Sequence, residues 1–265
     1  MTTRRSLLRC RSGQFIVITA LIIGMVAMAS AVFLYETQVY EQHFRYRPYQ
    51  DVVMDLENDV KRALACSLAN ATITYNKTWS PSGTWNPAGF DEGESNAEKF
   101  MQQWQLTAIN AFAGLGANLM ASNSCKKLVN MTWARPDSIS SANSTLKVNM
   151  TGLGMFSWQR NITVALRITV NMSSFAGDAS VTNLTFRAIC DYQMIVNDLS
   201  NTSVRLAFYD IGQAKYTNVS LLYFDYRGNG VYIVEVNKSC VKGLKMMMWV
   251  QDRRGILTVT GFTIP

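Results

Sequence analysis

The sequence predicts an α+β protein, with an N-terminal transmembrane helix continuing into a helical hairpin and then a C-terminal antiparallel β-sandwich. Three observations carry this. An uncharged run from Ser12 to Tyr35 follows a cluster of four arginines; apolar residues then recur at spacings of three and four; and from Leu146 onward the apolar period falls to two. These changes divide the chain into a basic leader (1–13), a membrane helix (14–35), a helical stalk and hairpin (36–135) and a β-sandwich ectodomain (136–265).

The first element follows from length and charge. Gln14 to Tyr35 spans 22 residues, about 33 Å at ~1.5 Å per helical residue, enough for a hydrocarbon core of about 30 Å. Arg4, Arg5, Arg9 and Arg11 precede the run, while all 18 acidic residues follow it, so the positive-inside rule keeps the leader in the cytoplasm and exports the rest. No later run matches it in length and apolarity, so one crossing is expected. The net charge of +7 includes those four arginines. The exported remainder is weakly and diffusely basic, which argues against nucleic acid as a partner.

After the membrane run, Val53, Leu56, Val60, Leu64 and Leu68 form an amphipathic stripe, so a helix is expected through Tyr75 with a break near Pro48. The Gly/Pro-rich stretch "KTWSPSGTWNPAGFDEG" reads as a loop. A second helix is expected from Glu94, with Ser95 and Glu98 as a capping box and Phe100, Trp104, Ala108, Phe112 and Leu115 on one face. Together the two helices make the hairpin.

Strict alternation then begins. In "NITVALRITVNM", Ile162, Val164, Leu166, Ile168, Val170 and Met172 alternate with polar or small residues, as in a strand with one wet face. Similar segments follow at "TNLTFRAICDYQMIV", "SVRLAFYD", "NVSLLYFDY", "GVYIVEV", "LKMMMWVQD" and "ILTVTGF". Asn229-Gly230 marks a tight hairpin and "DRRG" a turn with Gly255 in a left-handed position. Seven or eight strands at this spacing predict an immunoglobulin-like sandwich, with the polar stretch from Arg135 to Asn143 as its boundary.

Cysteine usage fits an oxidising exterior. Cys10 lies on the cytoplasmic side, whereas Cys66, Cys125, Cys190 and Cys240 lie outside, an even number suited to two disulfides. Of the three possible pairings, Cys66–Cys125 and Cys190–Cys240 each staple neighbouring elements. A zinc site is disfavoured, because there is no C-x-x-C and His43 is the only histidine.

Motifs for catalysis are missing. No H-E-x-x-H, G-x-S-x-G or Walker loop occurs, and His43 sits on the stalk, so neither an enzyme nor a cofactor is expected. Asp55 and Asp59 share a helix face beside Lys61 and Arg62, which reads as a solvated face. Met246, Met247 and Met248 are adjacent on a strand and point alternately to opposite faces, so they read as core and not as a soft-metal site. Trp79, Trp85 and Phe90 are the candidate binding residues, able to stack on sugars or a neighbouring subunit; the competing expectation is that they fold back over the open end of the hairpin.

The strongest signal is the sequon. Asn-x-Ser/Thr occurs at Asn70, Asn76, Asn130, Asn143, Asn149, Asn161, Asn171, Asn183, Asn201, Asn218 and Asn237, which is 11 of the 19 asparagines. With 42 serines and threonines in 265 residues, chance would give about three matches to the acceptor pattern. Asn149, Asn161, Asn171 and Asn183 also oppose the apolar parity of their strands, which is where an attached glycan must point.

"RCRSGQFIVITALIIGMV" resembles the class III signal of archaeal type IV pilin-like surface glycoproteins, in which a short basic leader ends in glycine and the apolar helix stays on the mature chain. The resemblance implies cleavage by a prepilin peptidase between Gly13 and Gln14, passage through the N-glycosylation machinery, and a membrane-anchored or filamentous location at the cell surface. Two rival signals share these residues: "TRRSLLR" resembles a twin-arginine motif, and Ala27-Met28-Ala29 a small-residue cleavage site. The functional expectation is a structural or interaction protein, with its N-terminal helix available for self-association. The alternatives are an extracellular binding module for a solute or polysaccharide and, third, a secreted enzyme.

Overall fold

A computed structural model describes residues 4–122, 127–171, 177–178, 181–191, 193–237 and 243–264, with the backbone alone for 4–15, 40–49, 122, 177–178 and 181–182. The chain divides into two compact units, residues 1–55 and 56–265. The first is helical throughout its described length and contains the apolar segment Ile16–Val39, 24 residues with a mean hydropathy of 2.6 and no buried side chain. That segment is long and apolar enough to span a bilayer.

Helix α1 is assigned from Arg4 to Lys77, and Pro48 lies inside it. The break expected there is absent: a proline removes one backbone hydrogen bond and strains the preceding turn, but it need not end a helix. In the second unit the predicted stripe is buried, with Leu56, Val60, Leu64 and Leu68 fully enclosed. Helix α2 (Pro87–Ala111) begins well before the expected Glu94. Asn86 is its N-cap, accepting the Ala88 amide at 3.0 Å, and Pro87 occupies the first turn, where its missing N–H costs nothing. Ser95 and Glu98 therefore lie inside the helix and are not its capping box. The inward face is also different: Gly89, Gly93, Ala97, Met101 and Ala108 are buried, while Phe100 is exposed. Contacts of Gly89 with Thr78, Gly93 with Ala71 and Trp104 with Asp59 run in reverse order, so α2 lies antiparallel to α1. The small residues let the backbones approach: a Cβ on Gly93 would lie 2.8 Å from the Ala71 carbonyl oxygen.

Two antiparallel sheets complete the unit. The larger has nine strands: β1 (Ala117–Ser122), β2 (Val129–Thr132), β3 (Asp137–Met150), β4 (Met155–Asn171), β5 (Gly177–Asp178), β6 (Val181–Cys190), β7 (Met194–Ile195), β10 (Leu221–Gly228) and β11 (Val231–Val236). Its order is β1-β3-β4-β6-β11-β10, with β2 beside β3 and β5 and β7 beside β6. The smaller sheet is β13-β12-β8-β9, built from β8 (Val204–Asp210), β9 (Lys215–Val219), β12 (Lys245–Gln251) and β13 (Leu257–Thr263).

Alternation places the core as expected. Ile162, Val164, Leu166, Ile168 and Val170 are buried along β4, while Asn161, Arg167, Thr169 and Asn171 are exposed. Met246, Met247 and Met248 are all buried, because the central strand β12 is covered on both faces. The Asn229-Gly230 turn carries φ of 52° and 73°, the left-handed pair a tight hairpin needs, and Gly255 closes the 252–255 turn at φ 85°. Three features depart from expectation. β1 and β2 pair with β3 although they precede residue 136, β3 runs through the polar stretch taken as a boundary, and "NVSLLYFDY" is two strands, β9 and β10, in different sheets.

A buried polar cluster ties the sheets together. Trp133 Nε1 donates to Ser140 Oγ at 2.8 Å, Ser140 Oγ donates to the Leu257 carbonyl at 2.7 Å, and the Thr258 hydroxyl lies 3.1 Å from the Leu166 carbonyl. Each hydroxyl of this cluster thus has a partner, as burial requires.

Candidate functional site

The sequon asparagines come first, since a glycan needs an accessible amide. Eight are exposed, three (Asn76, Asn143 and Asn183) are half-buried, and none is buried. Asn149 Oδ1 accepts the Ser157 amide at 2.6 Å and Asn161 Oδ1 accepts the Thr145 hydroxyl at 2.7 Å, so in both the amide nitrogen, the atom a glycan would occupy, is turned away from the bonded side. Asn76 Oδ1 accepts from Trp249 Nε1 at 2.9 Å. Its sequon threonine, Thr78, is bound by the Tyr75 carbonyl and packed against Gly89.

The aromatic loop folds onto the smaller sheet. Trp79 and Trp85 face each other across a tight turn closed by Ser80 and Thr84. Both pack on a cluster containing Trp133, Met247 and Trp249, with Trp79 4.8 Å from Trp249 and Trp85 5.7 Å from Trp133, ring centre to ring centre. Their Nε1 atoms are buried with no acceptor among the described residues. Phe90 stands apart: it meets Tyr75 edge-on at 5.9 Å and carries the Lys127 ammonium 4.8 Å above its ring.

A cleft of about 700 Å³ lies between α1, the end of β6, the segment after β7 and the 252–255 turn. Its floor is charged. Asp191, just past β6, adopts φ 46°, a left-handed conformation that Asp tolerates and that turns its carboxylate inward. Oδ1 accepts the Ala165 amide at 3.1 Å and Arg254 Nη1 at 2.8 Å, and Oδ2 meets Lys61 Nζ at 3.1 Å. Arg254 reaches Asp252 Oδ2 through Nη2 at 2.7 Å and the Ala165 carbonyl through the same nitrogen at 3.0 Å. One guanidinium therefore joins α1, by way of Asp191, to both sheets. Burial alone would raise the Asp191 carboxyl, but the Arg254 hydrogen bond, the Ala165 N–H and the two cations together hold it below its ordinary value. Burial dominates at Asp252 and pushes it up. Burial also opposes the charge on Arg254, yet its bonds to the two carboxylates raise its pKa.

Arg62 and Arg253 line the same cleft outside this network, as do Cys66 and Cys190. Among the described residues those two cysteines form no disulfide; Cys66 is exposed, and burial pushes the Cys190 thiol up. Their expected partners Cys125 and Cys240 lie outside the described residues. Gly13 and Gln14 lie within α1, where the backbone alone is described. Among the described residues no three His, Cys, Asp or Glu side chains gather as a metal site. Asp59 is more than a solvated carboxylate, since it accepts Trp104 Nε1 at 2.8 Å.

Compared with known protein families, curated proteins and solved structures, the chain matches none.

Proposed function

We propose that this chain is a membrane-anchored, N-glycosylated surface protein that works by display and contact and not by catalysis, of the archaeal type IV pilin-like kind. The observation that carries the reading is the placement of its acceptor sites: 11 sequons, none with a buried asparagine, on the unit that follows an apolar helix of spanning length. The seven other described asparagines are not buried either, so the weight rests on the excess of acceptor sites over chance, on a surface open to them. The apolar helix anchors the chain or packs among copies of itself, and the two-sheet body stands outside the membrane. Its immunoglobulin-like classification rests on strand alternation alone.

Sequencing the mature N-terminus tests the processing step. A start at Gln14 supports pilin-like maturation by a prepilin peptidase. A start at Ser30 would overturn it in favour of secretion, and an intact Met1 would make the helix a plain signal anchor. Glycopeptide mass spectrometry of the same material reads the acceptor sites.

A second reading, a binding module for an extracellular solute, is favoured by the cleft more than by the aromatic loop. Arg62 and Arg253 offer positive charge at its mouth for an anionic group. Solute binding that vanishes in Arg62→Ala and survives in Trp79→Phe would support it.

A further inference from the structure

A second groove, also about 700 Å³, runs between the start of α2 and strand β2. Two of the 11 acceptor asparagines, Asn130 and Asn143, form part of its wall. They lie on adjacent strands: Asn130 is the register partner of Ser141, and the Asn143 amide donates to the Leu128 carbonyl at 3.0 Å. The opposite wall carries Tyr75, Phe90 and Asp91, and Lys127 holds its ammonium over the exposed face of Phe90.

We infer that the groove is the seat of the chain's own glycan, carried by Asn143, whose first sugars lie against Phe90 and Tyr75. The inference rests on the glycoprotein reading and adds to it a site and a ligand class, a short saccharide. Three features point to this occupant. Asn143 is half-buried in the wall while Asn130 is exposed, so a sugar on Asn143 touches the groove from its first ring. Chemically, the walls pair aromatic faces, which suit the C–H face of a sugar, with Asp91 and Lys127 to accept and donate hydrogen bonds to hydroxyls. Tethering supplies the rest: a ligand on a short linker has an effective concentration of about a millimolar or more, so a groove of only millimolar affinity is substantially filled. The arriving sugar takes the place of the Lys127 ammonium on the Phe90 ring and gains it as a donor. The glycan would then clip the N-terminal turn of α2 to the strand.

The test uses the full chain made in a glycosylating host. Mass spectrometry first reads occupancy at Asn143, and thermal unfolding is then compared for the parent, Phe90→Leu, Asn143→Gln and the double variant. Phe90→Leu loses ring packing in any background, so the informative quantity is the difference between its effects. A Tm loss larger by about 2–4 °C when the Asn143 glycan is present is expected, together with slower amide exchange over residues 88–91 that is lost in Asn143→Gln. With Asn143 occupied, equal Tm losses in both backgrounds and unchanged exchange would overturn the inference while leaving the glycoprotein reading intact. An unmodified Asn143 overturns it too, and only an absence of glycan at all 11 sites takes the wider reading with it.

Discussion

Replacing Arg254 with methionine tests the central electrostatic claim about the β-rich unit. The substitution keeps much of the side chain's apolar stem but removes the cation between Asp191 and Asp252, whose side chains are 3% and 4% exposed. Two carboxylates are then left without their shared partner. Breaking a buried ion pair from one side costs about 3–5 kcal/mol. The lower figure applies because Arg254 itself is 28% exposed, so water can reach the gap, and because Lys61 remains 3.1 Å from Asp191. A loss of about 3 kcal/mol in a unit of this size corresponds to a Tm lower by about 6–12 °C. Urea and thermal unfolding of the detergent-solubilised full chain at pH 7 would measure it. The triple variant Asp191→Asn, Asp252→Asn, Arg254→Met should recover most of the loss, since no buried charge remains unpaired. A loss below about 1 kcal/mol for the single variant would refute the claim that this guanidinium holds the sheets together.

The same network sets a pH dependence. Asp191 titrates below its ordinary value when folded, so it contributes stability above about pH 4 that is lost as the pH falls through its lowered value; Asp252, pushed up by burial, works in the opposite sense. Asp191→Asn should therefore flatten the acid limb of a urea-midpoint profile below about pH 4, and an unchanged limb would assign acid sensitivity elsewhere. Gly93→Ala should cost about 1–3 kcal/mol by pushing α2 off the Ala71 carbonyl, in spite of better helix propensity, whereas Gly114→Ala, with nothing within 4 Å of its Cβ, should stay within about 0.5 kcal/mol. Gln105 Nε2 donates to the Leu119 carbonyl at 3.0 Å and its Oε1 lies 3.4 Å from the Ala121 amide, so Gln105→Leu should uncover the free edge of β1, cost about 1–2 kcal/mol and raise the dimer fraction on size-exclusion chromatography.

Periodicity made most of the fold legible. The α1 stripe and the alternation of β4, β8 and β11 are readable because burial on one side fixes the period of the pattern, whatever the partner. Misreadings fell where another requirement replaced apolarity. Pro87, Gly89 and Gly93 look like a loop, yet the proline suits a helix start and the glycines are what allow α2 to touch α1. Strand β3 looks like a polar linker because it buries Ser138, Ser140, Ser141, Ser144 and Thr145. Hydroxyls can be buried at these positions because acceptors wait for them, such as the Leu257 and Asn130 carbonyls, and those acceptors lie on other strands that a local window does not see.

The two kinds of candidate site differ in legibility for a related reason. A sequon is complete within three residues, so its chemistry can be read in place, and strand parity even gives the direction in which the asparagine points. The charged cleft has no such local signature. Its floor joins Lys61, Asp191, Asp252 and Arg254, separated by up to 193 positions, and only the 252–255 turn was conspicuous in advance. Nothing near Asp191 marks it as buried except the short Cys-Asp step at the end of an alternating strand, where a carboxylate in a left-handed turn can be swung under the sheet. Such a residue is stable inside only because Arg254 arrives from the far end of the chain, so the site exists as a consequence of the fold and becomes readable after it. Surface modification sites carry their information locally, and contact sites carry it in topology.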